Sequence, residues 1–237
     1  MNFTFGIITD GHNTTRVDNI IKTIIGERIP NYEIIVIGDI NLQGKKVKSF
    51  AFDESIKPRW ITKKKNLITE NASYENIVYM HDYLTLVPGW YNGFLKFGND
   101  FDVCITKMIN QDGGRYRDWT LWAEDAGECG VNCVTQHFLL PYDIIHLSKY
   151  QYISGAYWIA KTELMKKFPL DETRSWGEGE DVEWSKQVRQ VCQFKLNAFS
   201  SVQLTKYKSP VFNEMTPLEQ DWVRNLKLDS QGMIIKS

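Results

Sequence analysis

The fold is decided by residues 3–40, which read FTFGIITDGHNTTRVDNIIKTIIGERIPNYEIIVIGDI. The apolar run Phe3–Ile8 predicts a buried strand, and Asn13 or Thr14 can cap the helix that follows. The apolar face of that helix recurs at helical spacing and consists of Val17, Ile20, Ile21, Ile24 and Ile25. The run Glu33–Ile37 is rich in β-branched residues, which is typical of a parallel strand covered on both faces. Strand, helix and strand in this order predict a parallel β-α-β unit.

The alternation of strands and helices continues beyond this unit. Val47–Phe52 predicts a third, weaker strand, Trp60–Ala72 a helix and Ile77–Met80 another buried strand. Residues 110–149 show no period, and a stretch of that length usually marks a functional segment or a small subdomain. Further elements are expected at Phe101–Thr106, Tyr152–Ile159, Lys161–Lys167, Asp181–Cys192 and Phe194–Phe199. We therefore expect an α/β fold whose mixed, mostly parallel sheet is flanked by helices, with ligands bound beyond the carboxyl ends of the strands.

Composition and charge exclude several classes of protein. The 237 residues carry 28 Lys and Arg against 29 Asp and Glu, a net charge of −1. This balance argues against a nucleic-acid binder, because affinity for the phosphate backbone needs an excess of basic residues. The sequence has no apolar window of about 18 residues and no basic amino-terminal region before an apolar core, so we expect a cytoplasmic protein without a transmembrane segment. The eight tryptophans suit a large core or a surface that stacks on sugar rings.

Aspartates follow three of the predicted strands, in Thr9-Asp10-Gly11, Gly38-Asp39 and His81-Asp82. Asp82 directly follows a buried strand, where a carboxylate could hold Mg²⁺ or Mn²⁺ on a diphosphate. An aspartate at a strand end more often caps a helix or forms a turn, so this position alone leaves both interpretations open.

A second acidic cluster lies in Trp176–Trp184, which has four carboxylates in six residues at the start of a predicted helix. The helix macrodipole favours one or two acids in a first turn, but it does not account for four. Crowding of like charges raises the pKa of at least one carboxyl group, which suits a general base near neutral pH.

Together these segments resemble the nucleotide-sugar glycosyltransferases of the GT-A, Rossmann-like fold, over roughly residues 3–192. The likeness is carried, in chain order, by Thr9-Asp10-Gly11, Glu33–Asp39, Lys65-Asn66, His81-Asp82 in place of an Asp-x-Asp signature, Ser154–Tyr157 and Gly179-Glu180-Asp181. The chain looks closest to the inverting, family-2-like enzymes. Its Trp-Gly-x-Gly-Glu-Asp segment is also similar to that of the β-1,4-galactosyltransferases.

The resemblance implies transfer of a sugar from a UDP- or GDP-sugar to a glycan or another hydroxyl acceptor. Asp82 would bind Mn²⁺ or Mg²⁺, and the catalytic residues would be Asp181, as the base that deprotonates the acceptor, and Glu180. The residues implied for the nucleotide sugar are Thr9, Asp10, Gly11, Asp39, Lys65, Asn66, His81 and Asp82. Those assigned to the acceptor are Gly155, Tyr157 and Trp176, together with Trp119 and Trp122, which could instead be core aromatics.

The domain is expected to span residues 1–200, with the nucleotide-sugar half at about 1–108 and the acceptor half at about 109–200. Residues 201–237 would form a C-terminal extension. The signature's first aspartate is replaced by His81, and no histidine follows residue 146 as a late metal ligand. The lysines at 63–65 could share in neutralising the diphosphate, although a run of lysines is usually a solvated helix face.

Other interpretations stay open at this point. Cys129, Cys133, His137 and His146 are spaced so that a zinc site is conceivable. A sugar nucleotidyltransferase is a rival enzyme class, but the glycine-rich loop with arginine that it normally has after the first strand is missing. A non-catalytic carbohydrate-binding protein with a degenerate transferase fold is the other alternative.

Overall fold

The computed structural model describes residues 1–130, 137–209 and 212–235. The strands in chain order are β1 (Asn2–Ile8), β2 (Asn31–Ile37), β3 (Gln43–Gly44), β4 (Val47–Phe50), β5 (Asn76–His81), β6 (Leu84–Leu86), β7 (Val103–Ile109), β8 (Thr120–Leu121), β9 (His137–Leu139), β10 (Gln151–Tyr152), β11 (Tyr157–Lys161), β12 (Phe194–Leu204) and β13 (Phe212–Glu214). The helices are α1 (Thr14–Gly26), α2 (Ile61–Asn71), α3 (Trp90–Phe97), α4 (Ala123–Glu128), α5 (Thr162–Lys167), α6 (Glu180–Val188) and α7 (Pro217–Arg224).

The described residues form one large mixed sheet and one small sheet. The nine strands of the large sheet lie in the order β3-β4-β2-β1-β5-β11-β7-β12-β6. Parallel pairing joins β4, β2, β1 and β5 and also joins β7 to β12, while β11 runs antiparallel between β5 and β7. Six strands therefore share one direction, and their carboxyl ends lie at one edge of the sheet. The expected α/β fold with a mixed, largely parallel sheet is confirmed.

Both faces of the first strands are covered, as the apolar runs predicted. Ile35 and Ile37 pack into the core on the α2 side, and Ile34 and Val36 pack into the core on the α1 side. The Asn13 side chain caps α1 by accepting the Arg16 N–H. Because successive side chains of a strand point to opposite faces, a continuous apolar run is needed to fill two cores.

In the described part of residues 110–149, the buried carboxylate of Asp118 joins several parts of the chain. Asp118 is fully buried, and its side chain accepts hydrogen bonds from Arg115, from the Tyr142 hydroxyl and from the backbone N–H groups of Met108 and Trp119. The described part of this segment contributes β8, α4 and β9 to the small sheet and its surroundings. Apolar residues of this segment, among them Trp119, Leu121 and Leu140, belong to the same core cluster as the large sheet.

Three element boundaries differ from the sequence predictions. The strand expected over Tyr152–Ile159 is divided into β10 and β11 by the residues 153–156 between them. The helix expected to reach Cys192 ends at Val188, and Val191 is exposed rather than part of the apolar face. β12 continues to Leu204, so the boundary expected after residue 200 falls inside a strand.

The chain after β12 packs back onto the irregular segment. Met215 and Val223 belong to the main core, and the Arg224 guanidinium lies 3.0 Å from the Asp143 carboxylate. The Ile234 N–H donates to the Tyr150 hydroxyl at 2.9 Å. Among the described residues, no helix is both long enough and apolar enough to cross a membrane.

Candidate functional site

The carboxyl edge of the large sheet carries two adjoining cavities, which we together call the cleft. The cavity next to β1 has a volume of about 330 Å³ and is lined by Thr9, Asp10 and Asp82, among others. The cavity next to α6 has a volume of about 400 Å³, and Glu180 and Asp181 are among its lining residues. The two cavities share four lining residues, which are His81, Tyr83, Trp176 and Lys208. We call these spaces the β1 cavity and the α6 cavity.

The loop after β1 holds Asp82 in place. The Thr9 hydroxyl donates to Asp82 Oδ2 at 2.8 Å and accepts the Gly11 N–H at 3.1 Å. Gly11 has a φ of +83°, and a Cβ at this position would overlap the Asp39 carbonyl oxygen. Glycine is required here because it tolerates both the left-handed backbone and the close approach of the β2 end.

Asp39 lies beside the cleft rather than inside it. It lines an adjoining groove of about 520 Å³ that shares Asp10 and Glu54 with the β1 cavity. Asp10 is exposed, and its carboxylate accepts the His12 N–H at 3.0 Å. The aspartates that follow β1, β2 and β5 therefore lie along one trough at the sheet edge.

The lysines at the start of α2 are not a solvated face. Lys64 is 3% exposed and Lys65 is 1% exposed. Lys64 donates to the Thr9 carbonyl at 2.7 Å and forms an ion pair with Glu54, and it lines the β1 cavity. The solvated interpretation is wrong for these two residues, since the helix packs its basic side against the sheet edge.

Basic side chains outnumber acidic ones around the β1 cavity. The cations among its lining residues are Arg16, Arg59, Lys64, Lys206 and Lys208. The acids are Asp10, Glu54 and Asp82. Five positive groups against three negative ones favour an anionic ligand in this part of the cleft.

The first turn of α6 points two carboxylates at the backbone of Gly155. Asp181 Oδ2 accepts the Gly155 N–H at 2.7 Å, and Asp181 Oδ1 accepts the Val182 N–H at 3.0 Å. A Cβ at Gly155 would lie 2.8 Å from Glu180 Oε1 and 2.9 Å from Asp181 Oδ2. Only glycine allows this approach, so the segment before β11 fixes the direction of the Asp181 carboxylate.

The buried Lys65 side chain contacts both the first turn of α6 and the Gly155 backbone. Its ammonium group donates to the Gly155 carbonyl at 2.8 Å and lies 3.8 Å from Glu180 Oε1. Burial raises the pKa of the Glu180 carboxyl, and Asp181 adds to the effect while Lys65 opposes it. Lys65 does not line either cavity, so the structure gives it a supporting position instead of direct access to a ligand.

The junction of the two cavities holds a neutral histidine. His81 Nε2 is buried and has no hydrogen-bond partner among the described residues. Burial, together with the charges of Lys65 and Lys208, holds the pKa of His81 well below its usual range. Next to it, the Tyr83 hydroxyl accepts a hydrogen bond from Lys208 Nζ at 2.7 Å.

Three assignments drawn from the resemblance need correction. Trp119 and Tyr157 are buried in the core, where Trp119 Nε1 donates to the Ile144 carbonyl and Tyr157 accepts from Trp90. The Asn66 side chain donates to the Leu170 carbonyl at 2.9 Å and accepts the Leu170 N–H at 3.0 Å, so both ends of its amide are engaged. Aromatic and amide residues serve cores and loops as often as ligand sites, and the sequence pattern does not separate these uses.

The remaining acceptor candidates line the α6 cavity. These are Gly155, Trp176 and Trp122. Trp176 is 54% exposed and lies beside the Arg59 guanidinium, whose carbon is 5.2 Å from the indole ring.

The sequence analysis missed several cleft residues. They include Tyr83, Tyr116, Arg117, Tyr152, Arg59, Lys206 and Lys208. A signal existed for the two lysines, because Ser201–Leu204 continues the alternation of the preceding strand and so brings the next residues to the carboxyl edge. No period marks Arg117, which lies in the irregular segment.

The residues around Asp82 do not fit a resident divalent cation. Within the described ranges, no group of three or more His, Cys, Asp and Glu side chains could hold a metal ion. The Asp82 carboxylate accepts the Thr9 hydroxyl, and the same cavity is lined by Lys64, Lys206 and Lys208. Hard cations need several oxygen ligands, and neighbouring ammonium groups repel them.

The zinc alternative gains no support from the described residues. Cys133 and the side chain of His137 lie outside them. Cys129 is buried, and burial raises the pKa of its thiol to about 12. His146 Nε2 lies 2.9 Å from the Val223 carbonyl, which occupies that nitrogen.

The mixed sheet with a ligand cleft at the carboxyl edge of β1 and β5 is the GT-A fold, the architecture of nucleotide-sugar glycosyltransferases. The chain is similar to GalNAc-T7 in a crystal structure with UDP, GalNAc and Mn²⁺, at 13% identity and a TM-score of 0.65. It is also similar to S. aureus TarS 1–349 in complex with UDP-GlcNAc, at 13% identity and a TM-score of 0.57.

The two likenesses cover nearly all of this chain but only part of the other proteins. They span 98% of this chain and 49% of the GalNAc-T7 chain, and 94% of this chain and 64% of the TarS chain. No protein-family model and no curated protein matches the sequence. Identities this low establish the fold alone, so the inverting, family-2-like subclass and the likeness to β-1,4-galactosyltransferases stay predictions.

Proposed function

We propose that the chain transfers a sugar from a nucleoside-diphosphate sugar to a hydroxyl acceptor, with inversion at the anomeric carbon. The observation that carries this proposal is the pair of adjoining cavities, which share four lining residues: one has an excess of basic side chains and contains Asp82, and the other contains Glu180 and Asp181. The fold supports it, since the compared proteins were solved with UDP, UDP-GlcNAc or GalNAc.

In this reaction the donor diphosphate occupies the β1 cavity and the acceptor enters the α6 cavity. The acceptor oxygen bonds to the anomeric carbon while the bond from that carbon to the phosphate oxygen breaks. The nucleoside diphosphate leaves with the bonding electron pair, and the acceptor proton passes to the Asp181 carboxylate. The carboxylate is oriented for this task by the N–H groups of Gly155 and Val182, and each oxygen keeps a further lone pair.

Glu180 is a positioning residue in this proposal. It is 6% exposed and lies between Lys65 and the backbone at Gly155, so it holds the first turn of α6 against the segment before β11. Glu180 is buried, whereas Asp181 is half-buried at the cavity wall, so Asp181 is the more accessible carboxylate for the acceptor proton.

The test compares Asp181→Asn with Glu180→Gln. Asp181→Asn keeps the shape of the side chain but removes its ability to take a proton, so we expect turnover to fall by about 10²- to 10⁴-fold. UDP or GDP affinity should change little, because the substitution is at the other end of the cleft. Turnover is measured as release of nucleoside diphosphate from a panel of UDP- and GDP-sugars, and affinity by calorimetry.

Glu180→Gln serves as the matched control on the adjacent residue. We expect it to lower turnover less than Asp181→Asn and to leave the pH profile of turnover unchanged. Turnover of Asp181→Asn equal to that of the unchanged protein would rule out the assigned base. A melting curve for each variant separates a loss of chemistry from a loss of fold.

The same assays separate the two rival functions. Hydrolysis of the donor to free sugar and nucleoside diphosphate supports the transferase. Exchange of pyrophosphate into the nucleotide sugar would indicate a nucleotidyltransferase. Binding of a glycan without any affinity for nucleotide would indicate a carbohydrate-binding protein.

A further inference from the structure

We propose that the basic side chains of the β1 cavity, with Lys208 at their centre, neutralise the donor diphosphate in place of a divalent cation. This inference rests on the proposed function and concerns the same cleft. It assigns the task of charge neutralisation to Lys206 and Lys208, which follow β12, and to Arg16, Arg59 and Lys64.

The five cations come from four parts of the chain and line one cavity. Arg16 lies on α1, Arg59 precedes α2 and Lys64 lies on α2, while Lys206 and Lys208 belong to the segment after β12. Convergence of charges from four parts of the chain on a space of about 330 Å³ is typical of a site for a compact anion.

The acids of the same cavity are already engaged. Glu54 forms an ion pair with Lys64 and accepts the Arg59 N–H, and Asp82 accepts the Thr9 hydroxyl. Asp10 accepts the His12 N–H. These carboxylates therefore offset part of the basic charge without supplying a clustered set of ligands for a metal ion.

Hydrogen bonds to both its backbone and its side chain fix the position of Lys208. The buried Asn110 side chain donates to the Lys208 carbonyl at 2.9 Å and accepts the Lys208 N–H at 3.1 Å. The Thr205 N–H donates to the Tyr83 carbonyl at 2.8 Å, and Lys208 Nζ donates to the Tyr83 hydroxyl at 2.7 Å. The ammonium group is thereby fixed where the two cavities meet.

This junction is the point at which the bond between phosphate and sugar would lie. Lys208 and His81 both line the two cavities. The charge at this junction comes from Lys208, because the low pKa of the buried His81 keeps its imidazole neutral. Charge-assisted hydrogen bonds from Lys208 to the leaving phosphate would then do what a divalent ion does in metal-dependent sites.

The experiment measures UDP and GDP affinity of the full chain by calorimetry, once with EDTA and once with Mn²⁺. We expect the two conditions to give the same affinity for the nucleotide that binds. Lys208→Met should weaken that affinity by about tenfold or more in both conditions, because it removes a charged hydrogen bond to phosphate. Lys206→Met, at an exposed position that the fold does not need, should weaken it as well.

Lys195→Met is the matched control. Lys195 is near the beginning of β12, the strand that Lys206 and Lys208 follow, so it lies at the opposite edge of the sheet, where it pairs with Asp100. We expect this variant to bind nucleotide like the unchanged protein. Binding of the nucleoside without phosphates should be equal in the unchanged protein and in Lys208→Met, which assigns the loss to the phosphate contact.

The outcomes distinguish this inference from the proposed function. Nucleoside diphosphate binding that requires Mn²⁺, or unchanged affinity in both Lys208→Met and Lys206→Met, overturns the inference and leaves the transferase proposal standing. No binding of UDP or GDP in any condition overturns the proposed function itself. If Lys208→Met fails to fold, Lys206→Met and the comparison of EDTA with Mn²⁺ decide the question.

Discussion

At the residue scale, the ammonium group of Lys208 titrates close to neutral pH. Burial lowers its pKa to about 8, and the positive charges of Lys206 and Arg117 act in the same direction. Asp82 acts in the opposite direction. The titratable groups around it are Asp82, His81, Tyr83, Tyr116, Arg117 and Lys206. Below pH 8 the group is a cation, and above pH 8 it becomes a neutral amine.

This titration predicts that affinity for nucleoside diphosphate falls as the pH rises through about 8. Loss of the Lys208 charge removes attraction to the phosphates. The terminal phosphate loses its last proton at about pH 6, so the charge of the phosphates does not change in this range. Lys208→Arg should flatten the profile, because a guanidinium stays protonated throughout this range. The measurement is UDP or GDP affinity by calorimetry at a series of pH values. An equally steep fall in Lys208→Arg would assign the titration to another group.

Single residues were predicted unevenly from the sequence. Asp82 and Asp181 were expected at one cleft; Asp82 lines the β1 cavity and Asp181 lines the adjoining α6 cavity, and their roles stay predictions. Trp119 and Tyr157 were assigned to the acceptor but lie in the core. An aromatic side chain has the same local pattern in both settings, and only the tertiary fold decides between them.

At the scale of elements, the contact between β11 and α6 fixes the geometry of the two carboxylates. The segment just before β11 presents the Gly155 N–H, and the first turn of α6 presents Glu180 and Asp181. The two elements approach so closely that no side chain fits between them. The catalytic geometry proposed here therefore depends on one backbone position.

Gly155→Ala tests this dependence. The new methyl group would meet the Glu180 and Asp181 carboxylates within 3.0 Å, so one or both carboxylates must move away from the Gly155 backbone. We expect a destabilisation of about 1–3 kcal/mol, and a loss of turnover larger than the loss of UDP or GDP affinity. Thermal melting and steady-state kinetics measure the two effects.

Gly26→Ala is the control for the same chemical change. Gly26 ends α1, and a Cβ there meets nothing within 4 Å. Alanine in place of glycine at an unstrained position leaves stability unchanged or raises it by about 0.4–1 kcal/mol. Full turnover in Gly155→Ala would show that the carboxylates do not need the observed approach.

The sequence predicted the existence and type of the elements with strong periodicity. It did not predict where several of them end. The unit of β1, α1 and β2 follows the apolar spacing of residues 3–40 closely. The end of β12 was missed although Ser201–Leu204 continues the alternation of the strand and pairs with both β6 and β7. Pairing across the sheet overrides local preference, and this pairing brings Lys206 and Lys208 to the cleft.

At the scale of the whole molecule, the cleft is shared between the sheet and the irregular segment. Tyr116, Arg117 and Trp122 come from that segment and line the α6 cavity. Their positions depend on contacts between distant parts of the chain, such as those made by Asp118. No sequence period encodes such contacts, which is why this wall of the site could not be predicted.

One buried ion pair joins the irregular segment to α6. Arg189 donates to the two oxygens of Asp125 at 2.9 and 3.0 Å and also to the Gln151 carbonyl at 3.2 Å. Both charged side chains are buried. Removing one partner leaves the other charge buried without compensation, and that costs more than the pair itself contributes.

We therefore expect Asp125→Ala to lower the free energy of unfolding by about 3–5 kcal/mol. Adding Arg189→Met to this variant should cost less than the sum of the two single changes, because the double variant leaves no unpaired charge. Urea denaturation of the four proteins gives the coupling energy. Glu163→Ala, which breaks the exposed pair with Lys166, is the control and should change stability far less. Additive single effects at Asp125 and Arg189 would mean that the two side chains do not stabilise the contact between the irregular segment and the end of α6 as a pair.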